Sequence, residues 1–211
     1  SVLELNFDIS DATLAITGID DNETIVRAAV TYGEQQSEPT LTMASDNTTF
    51  HATFASGDTR QADSGARPGQ WTVCIGNYAV PTDLSLTCAN VQAETDWGGL
   101  PLRSCSFLAS ASEMTLSWDL PVRDAVQVLI VAASTSTIAL RNTGNTDFSA
   151  LGLLGSGTTM TIDLSGTLSP AEHALTLIQA GATVDVLMPP DVGARVKSLA
   201  LLSTVAVSGD G

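Results

Sequence analysis

The sequence predicts an all-β protein built from antiparallel β-sandwiches, and three observations support this fold class. Short segments in which apolar and polar residues alternate recur along the whole chain, as expected for half-buried strands. Glycine, proline, asparagine and aspartate separate these segments, as expected for turns. Only one stretch carries the signals of a helix start. With 211 residues, 44% of them hydrophobic, the chain has enough apolar material for one large core or two smaller ones.

The charge balance excludes two classes of partner. The chain has eight basic and 23 acidic residues and a net charge of −15. Binding to nucleic acid or to anionic lipid requires clustered lysine or arginine, and the basic residues here are few and scattered. The most apolar run, residues 125–133, is far shorter than the ~20 residues that a membrane-spanning helix needs. We therefore expect neither nucleic-acid binding nor membrane insertion.

The first half of the chain is predicted to contain about seven strands in about 90 residues, a density typical of sandwich domains. The N-terminal strand has Leu3, Leu5, Phe7 and Ile9 on one face and polar residues on the other. Six further strands are expected at residues 12–17, 24–32, 39–44, 48–55, 71–76 and 84–88. The polar, glycine-containing segment between residues 56 and 70 is predicted to be a long loop.

One stretch marks a late strand of this half. Pro68-Gly69 predicts a turn, after which Trp71, Val73 and Ile75 fall on one face of an extended segment. The segment Gly69-Gln70-Trp71-Thr72-Val73 resembles the strand entry of bacterial immunoglobulin-like and fibronectin-like modules. The resemblance covers about 20 residues and implies an immunoglobulin-like β-sandwich rather than an activity.

The second half starts again after a segment without alternation. Strands are expected at residues 105–109, 113–119, 125–133, 137–141, 158–164, 182–188 and 196–207. A short helix is predicted near residues 170–179. Ser169 can cap this helix, Pro170 suits its first position, and Glu172 completes a capping box. We find no internal repeat of fixed period.

These patterns predict three segments. Residues 1–92 are expected to form an immunoglobulin-like β-sandwich, and residues 93–102 a linker or crossover. Residues 103–211 are expected to form a second β-sandwich, either immunoglobulin-like or a jelly roll, that carries the short helix.

The three cysteines leave two alternatives open. Cys74 and Cys88 lie in neighbouring predicted strands and are the candidates for a disulfide bond, which would leave Cys105 as a free thiol. Three buried free thiols fit the sequence equally well. The spacing lacks the short C-x₂₋₄-C pairs of a zinc site.

No catalytic site is predicted, and we expect the protein not to be an enzyme. The two histidines, His51 and His173, lie in predicted regular elements, where packing or surface exposure explains them. The sequence contains no nucleophile elbow, P-loop, dinucleotide-binding or zinc-protease motif.

Two kinds of candidate site fall on predicted turns. Asp20, Asp21 and Glu23 gather oxygen ligands in one turn and are a candidate calcium site, although acidic turns are also common without a metal. No other cofactor is expected. Asn22 and Asn47 begin N-x-[ST] sequons, which matter only in a protein that passes through a glycosylating pathway.

The candidate binding or interface residues are Trp97, Arg60 and Arg67. Trp97 lies in Asp96-Trp97-Gly98-Gly99 and is the one indole expected at the surface. There it would stack on a sugar, fill a partner's pocket or seal the junction between the halves. Arg60 and Arg67 lie in the long polar loop, the kind of segment that often carries function.

We expect a non-catalytic structural subunit of a larger assembly, such as a virion coat or spike protein or a surface filament. Its partners would be further subunits, held by loop contacts and by addition of the strand with Leu3, Leu5, Phe7 and Ile9 to a neighbouring sheet edge. The alternative is an extracellular binding module, either an adhesin or a carbohydrate-binding domain with a glycan as ligand. Either function places the protein outside the cell, on a cell surface or in a virion.

Overall fold

The computed structural model describes residues 2–21, 23, 25–32, 38–46, 48–57, 68–76, 80–169, 171–189 and 196–209. Within these ranges the chain forms sixteen strands and one short 3₁₀ helix, and no α-helix. The elements are β1 (Val2–Ile19), β2 (Val26–Thr31), β3 (Thr40–Ser45), β4 (Thr49–Ala55), β5 (Gly69–Gly76), β6 (Thr82–Asp96), β7 (Leu102–Ser110), β8 (Glu113–Ser117), β9 (Val128–Ser134), β10 (Thr137–Arg141), the 3₁₀ helix (Thr143–Thr146), β11 (Ala150–Ser156), β12 (Thr159–Asp163), β13 (Ala174–Ala180), β14 (Thr183–Met188), β15 (Val196–Leu201) and β16 (Thr204–Gly209).

The strands stack in two columns that face each other across one core. Column A has the order β3, β4, first half of β1, first half of β6, β7, β9, β11, β13, β15. Column B has the order β2, β5, second half of β1, second half of β6, β8, β10, β12, β14, β16. All neighbours are parallel except β2 with β5 and β3 with β4. Because β1 and β6 run through both columns, the columns form one sheet that is folded almost into a closed tube.

Each passage of the chain adds one strand to column A and the next strand to column B. This arrangement is a parallel β-solenoid. From β6 onward each coil rests on the coil before it, with β6 on β1, whereas β4 and β5 lie on the other side of β1. A single residue in the left-handed backbone conformation, with φ between 49° and 61°, forms the corner between the two columns. The seven corner residues are Asp11, Asn90, Ala111, Thr135, Gly157, Gly181 and Leu202.

The residue that follows the corner links one coil to the next. The hydroxyl of Ser112 accepts a hydrogen bond from the Val91 amide at 3.1 Å. The Ser112 amide donates in turn to the hydroxyl of Ser136 at 3.1 Å. Ser203 repeats the arrangement by accepting from the Ala182 amide at 3.1 Å. Short hydroxyl side chains at this position therefore satisfy backbone donors where the strand pairing is interrupted.

The core lies between the two columns and follows the alternation of each strand. The Phe107 ring lies between two buried indoles, with centroid distances of 5.8 Å to Trp97 and 6.3 Å to Trp118. Each fully buried side chain of this size contributes about 1.5–3 kcal/mol relative to an exposed one. The predicted inward face of β5, formed by Trp71, Val73 and Ile75, is confirmed by its burial.

The segments that return from column B to column A close the third side of the tube. Val126, Phe148 and Leu164 on these segments are buried against the core. The Asn145 side chain ties three of the segments together, because its amide nitrogen donates to the carbonyl of Trp118 at 2.7 Å and its oxygen accepts from the Thr167 amide at 3.0 Å. The connections thus stack in the same way as the strands.

The structure corrects the predicted fold class. The chain is all-β as predicted, but it forms a large, mainly parallel sheet, so the predictions of antiparallel sandwiches, an immunoglobulin-like first half and an immunoglobulin-like or jelly-roll second half are wrong. The resemblance to immunoglobulin-like and fibronectin-like modules is overturned with them. Alternation with period two marks a strand with one buried face but carries no information about the direction of its neighbours.

The predicted helix near residues 170–179 is also wrong, because Ala174–Ala180 is strand β13. Leu175 and Leu177 are buried and Thr176 between them is exposed, which is a period of two.

The division at residues 93–102 stays a prediction. Strand β6 runs through residue 92, and its two halves pair with β7 and β8.

The chain does contain an internal repeat, but the length of the repeat varies from coil to coil. The five intervals between consecutive corner residues from Asn90 to Leu202 are 21, 24, 22, 24 and 21 residues. Each corner is followed by a small or β-branched residue, then a polar residue, then an apolar one, as in Thr135-Ser136-Thr137-Ile138 and Gly157-Thr158-Thr159-Met160. The change in length from coil to coil hides the repeat from a search for one period.

The corner conformation predicts opposite effects for substitutions at two corners. A Cβ atom added at Gly181 would meet no atom within 4 Å, so Gly181→Val should cost only the backbone strain, about 1–2 kcal/mol of unfolding free energy. Thr135→Gly should instead be neutral or stabilising by up to about 1 kcal/mol. Urea unfolding at equilibrium measures both. Gly181→Asn is the matched control, with a smaller cost because asparagine tolerates this conformation; equal losses for valine and asparagine would contradict the explanation.

Candidate binding surface

The outer side of column A has a region without acidic residues. Strands β7, β9, β11, β13 and β15 contain no aspartate or glutamate, although the chain has 23 acidic residues. We call the outward side chains of these five strands the acid-free face. Five strands about 4.8 Å apart and about 20 Å long give it an area of about 400 Å². This area is that of the whole face, which also carries serines, Thr176 and Lys197, and an apolar patch of about a few hundred Å² on a soluble monomer is often functional.

Large apolar side chains lie in register on this face. Leu108, Ala132, Leu154, Ile178 and Leu199 are consecutive partners across the five strands. Leu154 is 40% exposed and Ile178 is 46% exposed, so both present most of one side to solvent. Because neighbouring strands lie about 4.8 Å apart, these side chains form a continuous apolar ridge along the solenoid axis.

A row of hydroxyl groups runs beside the apolar ridge. Ser110, Ser134 and Ser156 are consecutive partners two residues further along the same strands. Between the ridge and this row lies a shallow groove of about 510 Å³, which also reaches Thr87 and Ala89 at one end. The volume is in the range of small-ligand sites, and the groove combines an apolar wall with uncharged polar groups.

Charged side chains lie on the outer surface of column A around β1, β4 and β6. His51 Nδ1 lies 2.7 Å from a carboxylate oxygen of Glu4, and Glu4 is the strand partner of Asp83. Arg103 forms a hydrogen-bonded ion pair with Asp83, and the Ser104 hydroxyl donates to the same carboxylate at 2.7 Å. The pKa of Asp83 is lowered, mainly because its carboxylate accepts a hydrogen bond from Arg103. The charged pairs of column A thus lie near β1, β6 and the start of β7, whereas Lys197 is the one charged outward residue on β9, β11, β13 and β15.

The outer side of column B is acidic where column A is apolar. Glu113, Asp163 and Asp185 lie on β8, β12 and β14, with exposed or partly exposed side chains. The same coils thus carry acidic side chains on the outer side of column B and the apolar ridge on the outer side of column A.

Trp97 does not lie where a ligand could reach it. Its side chain is fully buried, and its indole nitrogen donates to the Thr95 hydroxyl at 2.8 Å. The burial contradicts the expectation of an exposed indole, and the alternative that Trp97 seals a junction between two halves stays a prediction. Trp71 and Trp118 are buried too. Arg60 and Arg67, with most of the long polar loop, lie outside the described residues.

The predicted strand-addition edge is an interior strand. Leu3, Leu5, Phe7 and Ile9 are all buried in the core. This part of β1 pairs with β4 on one side and with β6 on the other, so it has no free edge to offer a neighbouring copy. The prediction of strand addition through this segment is wrong for that reason.

The three cysteines are free thiols in the structure. Cys74 is the strand partner of Thr17 in column B, whereas Cys88 is the strand partner of Ile9 in column A. The two positions differ by eight residues along β1, which is about 26 Å of chain at 3.3 Å per residue, with the corner at Asp11 between them. A disulfide bond requires Cα atoms within about 7 Å, so this geometry does not allow the Cys74–Cys88 bond.

The acidic turn after β1 is held by ordinary turn hydrogen bonding. The carboxylate of Asp21 accepts a hydrogen bond from the Glu23 amide at 2.8 Å. Among the residues that the structure describes, no group of three or more metal-binding side chains is close enough to hold an ion, and this includes Asp20, Asp21 and Glu23. The sequon residues Asn22 and Asn47 lie outside the described ranges.

The histidines make structural contacts. His51 is the partner of Glu4 described above. Both ring nitrogens of His173 face backbone carbonyl oxygens, those of Phe148 and Ser169, at 2.5 and 3.0 Å. These contacts hold a return segment against the coil before it.

Comparisons with known proteins identify a similar fold but no family. No family model matches the chain, and no curated protein matches it. A crystal structure of a protein from Clostridium sporogenes ATCC 15579, named a "putative cell adhesion protein", is similar over 99% of this chain and 92% of that chain. The TM-score is 0.64 and the sequence identity is 10%, which establishes likeness of fold alone. In the described part of the chain, no helix is long and apolar enough to cross a membrane.

The positions of the thiols predict their reactivity. Burial raises the pKa of Cys88 to about 12 and also raises the pKa of Cys105, whereas Cys74 is partly exposed. Iodoacetamide at pH 8 should therefore modify only Cys74 in the native protein, since the thiolate is the nucleophile. Mass spectrometry should show one adduct before unfolding and three after unfolding without reductant. A single adduct on the unfolded protein would indicate a disulfide bond and contradict the structure.

The Asp83–Arg103 ion pair predicts a loss of stability in acid. Because the pKa of Asp83 in the folded protein lies below its ordinary value of 3.8, the ion pair stabilises the fold above that pH. This contribution should be lost as the pH falls through the folded-state pKa. Asp83→Asn should lower the unfolding free energy at pH 7 by about 1 kcal/mol or less, since the pair is partly exposed. The difference from wild type should shrink as the pH falls below 3.8 and should vanish below the folded-state pKa.

Urea unfolding at several pH values measures this difference. Asp185→Asn, at an exposed position on column B, is the matched control and should leave the pH profile unchanged. A deficit of Asp83→Asn that does not shrink at any pH below 3.8 would show that the carboxylate charge is not the cause.

Proposed function

We propose that the chain is a non-catalytic extracellular binding module that acts in adhesion and docks an apolar protein surface on its acid-free face. The observation that carries this proposal is the absence of acidic residues from β7, β9, β11, β13 and β15 in a chain of net charge −15. If the outward surface of these strands served only to keep the protein soluble, it would be expected to carry some of the acidic residues.

A protein surface fits the acid-free face better than a glycan does. Glycan-binding sites stack sugar rings on exposed aromatic side chains, and the five strands of this face present no outward aromatic residue. The aliphatic ridge around Leu154 and Ile178 is complementary to another aliphatic surface. The serine row beside it offers uncharged hydrogen-bonding groups for the rim of an interface.

Two further observations support an adhesive role outside the cell. A solenoid presents one face as a straight, repetitive and rigid surface, which suits docking without large conformational change. The protein of similar fold from Clostridium sporogenes bears the name of a cell adhesion protein. The acidic column B would repel other acidic surfaces, so partners that are neutral or basic around their apolar patch are favoured.

Attachment of coated microspheres tests the proposal. Beads that carry the 211-residue chain are settled on surfaces coated with collagen, with laminin or with mucin glycans and are washed under flow. We expect attachment to at least one protein-coated surface and none to the glycan-coated surface. Leu154→Lys should reduce attachment about tenfold or more, because it places a charge at the centre of the apolar ridge.

Leu187→Lys is the matched control. Leu187 is 44% exposed, close to the 40% of Leu154, but it points outward from column B. This variant should attach like wild type. Failure of the wild-type beads on every protein-coated surface, or equal loss for the two lysine variants, would contradict the proposal.

A further inference from the structure

We propose that copies of this chain stack head to tail, with the β15–β16 end of one copy placed on the β2–β3 end of the next. The partner is thus a second copy of the chain, and the contact continues both columns of the solenoid. This inference is independent of the acid-free face, because it concerns the two ends of the solenoid rather than its side.

Both ends of the solenoid have free strand edges. Within the described residues, β15 pairs only with β13, and β16 pairs only with β14. At the other end, β3 pairs only with β4, and β2 pairs only with β5. In the described part of the chain, each end therefore presents one unpaired edge from column A and one from column B, and unpaired edges are templates for additional strands.

Among the described residues, inward apolar side chains are exposed at both ends. Val207 points inward, opposite the fully buried Val186, yet it is 52% exposed. At the other end Leu41 and Met43 lie opposite the buried Phe54 and Ala52 and are 52% and 64% exposed. Solenoids usually protect such ends with a polar capping element. Here the apolar interior would be covered if one end met the other.

The two ends match in dimensions and direction. The strands β2, β3, β15 and β16 are each six residues long. Because β2 and β3 run antiparallel to their columns, a second copy added along the axis would pair β3 with β15 and β2 with β16, both antiparallel. Inward side chains remain inward in this arrangement, since paired residues in a sheet lie on the same face.

The charges of the four end strands permit this approach. The strands contain no aspartate or glutamate, although acidic residues give the chain a net charge of −15. Their only charged residues are Arg27 and Lys197, and neither lies at an inward position. Natural edge strands are usually protected by inward or edge charges, and these four lack such protection on the inner side.

The contact would be heterologous, because it joins two different surfaces. Contacts of this kind generate rings when the rotation closes and filaments when it does not. A stack along a straight solenoid axis leaves a free end at each terminus, so the expected product is a filament. Its length should increase with protein concentration.

Light scattering and negative-stain electron microscopy at rising concentration test the assembly, with two edge variants. Val207→Lys places an inward charge at the β16 end, and Met43→Lys does the same at the β3 end. Each variant alone should remain a monomer of 21.8 kDa, while wild type forms filaments. Ser208→Lys, whose side chain points outward from the same strand as Val207, is the matched control and should assemble like wild type.

Mixing the two edge variants gives the decisive result. Met43→Lys keeps an intact β16 end and Val207→Lys keeps an intact β3 end, so one copy of each should combine into a dimer and go no further. Formation of this dimer also shows that both variants are folded. A monomeric wild type, a mixture that stays monomeric, or a single edge variant that still forms filaments would overturn the proposal.

The outcome is distinguishable from that of the adhesion experiment. Leu154→Lys lies on the side of the solenoid and should leave filament formation unchanged. Val207→Lys should abolish filaments but leave the binding of a single copy to a protein-coated surface in place. Assembly that is lost in Leu154→Lys and retained in Val207→Lys would assign self-association to the acid-free face and overturn the end-to-end contact.

Discussion

The left-handed corner between the two columns is the constraint on which the rest of this structure depends. In the described part of the chain, seven coils bend at one such residue, from Asp11 to Leu202, and these corners lie above one another. Stacking them fixes the register of the strands on both sides, so these coils run parallel. The hydroxyls of Ser112 and Ser136 satisfy the backbone donors that the bend leaves unpaired. A rare backbone conformation, repeated in register, thereby specifies a fold that strand propensity alone would not select.

Much of the local structure could be predicted from the sequence, and the topology could not. Alternation identified the buried face of β5 and the inward residues of β1 correctly, because burial of one strand face leaves a period of two in any sheet. Parallel sheets usually have helices on both faces and continuous apolar strands, so half-exposed strands favoured an antiparallel fold. The capping signals at Ser169 and Glu172 are local, and the burial of Leu175 and Leu177 in a strand overrides them.

The candidate binding surface could likewise be predicted only in part, because it depends on contacts between coils. Trp97 lies among turn formers, which predicts exposure. In the structure it packs against Phe107 from the next coil, a contact that the local sequence pattern does not indicate. The acid-free face had a signal in the sequence, since strands β7 to β15 of column A contain no acidic residue. That signal appears only when the coils are aligned by their corners, because the five strands are separated in sequence by column B strands and by return segments that carry acidic residues such as Asp119, Asp124 and Asp147.

The repetition of the coils also connects the two proposals. A solenoid turns each outward position into a row along its axis, as in the consecutive pairing of Leu108, Ala132, Leu154 and Ile178. A filament of stacked copies would carry one acid-free face for each copy at a constant distance. A patch of about 400 Å² is small for a stable interface, which buries about 800 Å² on each partner. Many such faces on one filament would bind by avidity, since the first contact raises the effective concentration of the others. End-to-end assembly would thus convert a weak apolar contact into strong adhesion without any change in the contact itself.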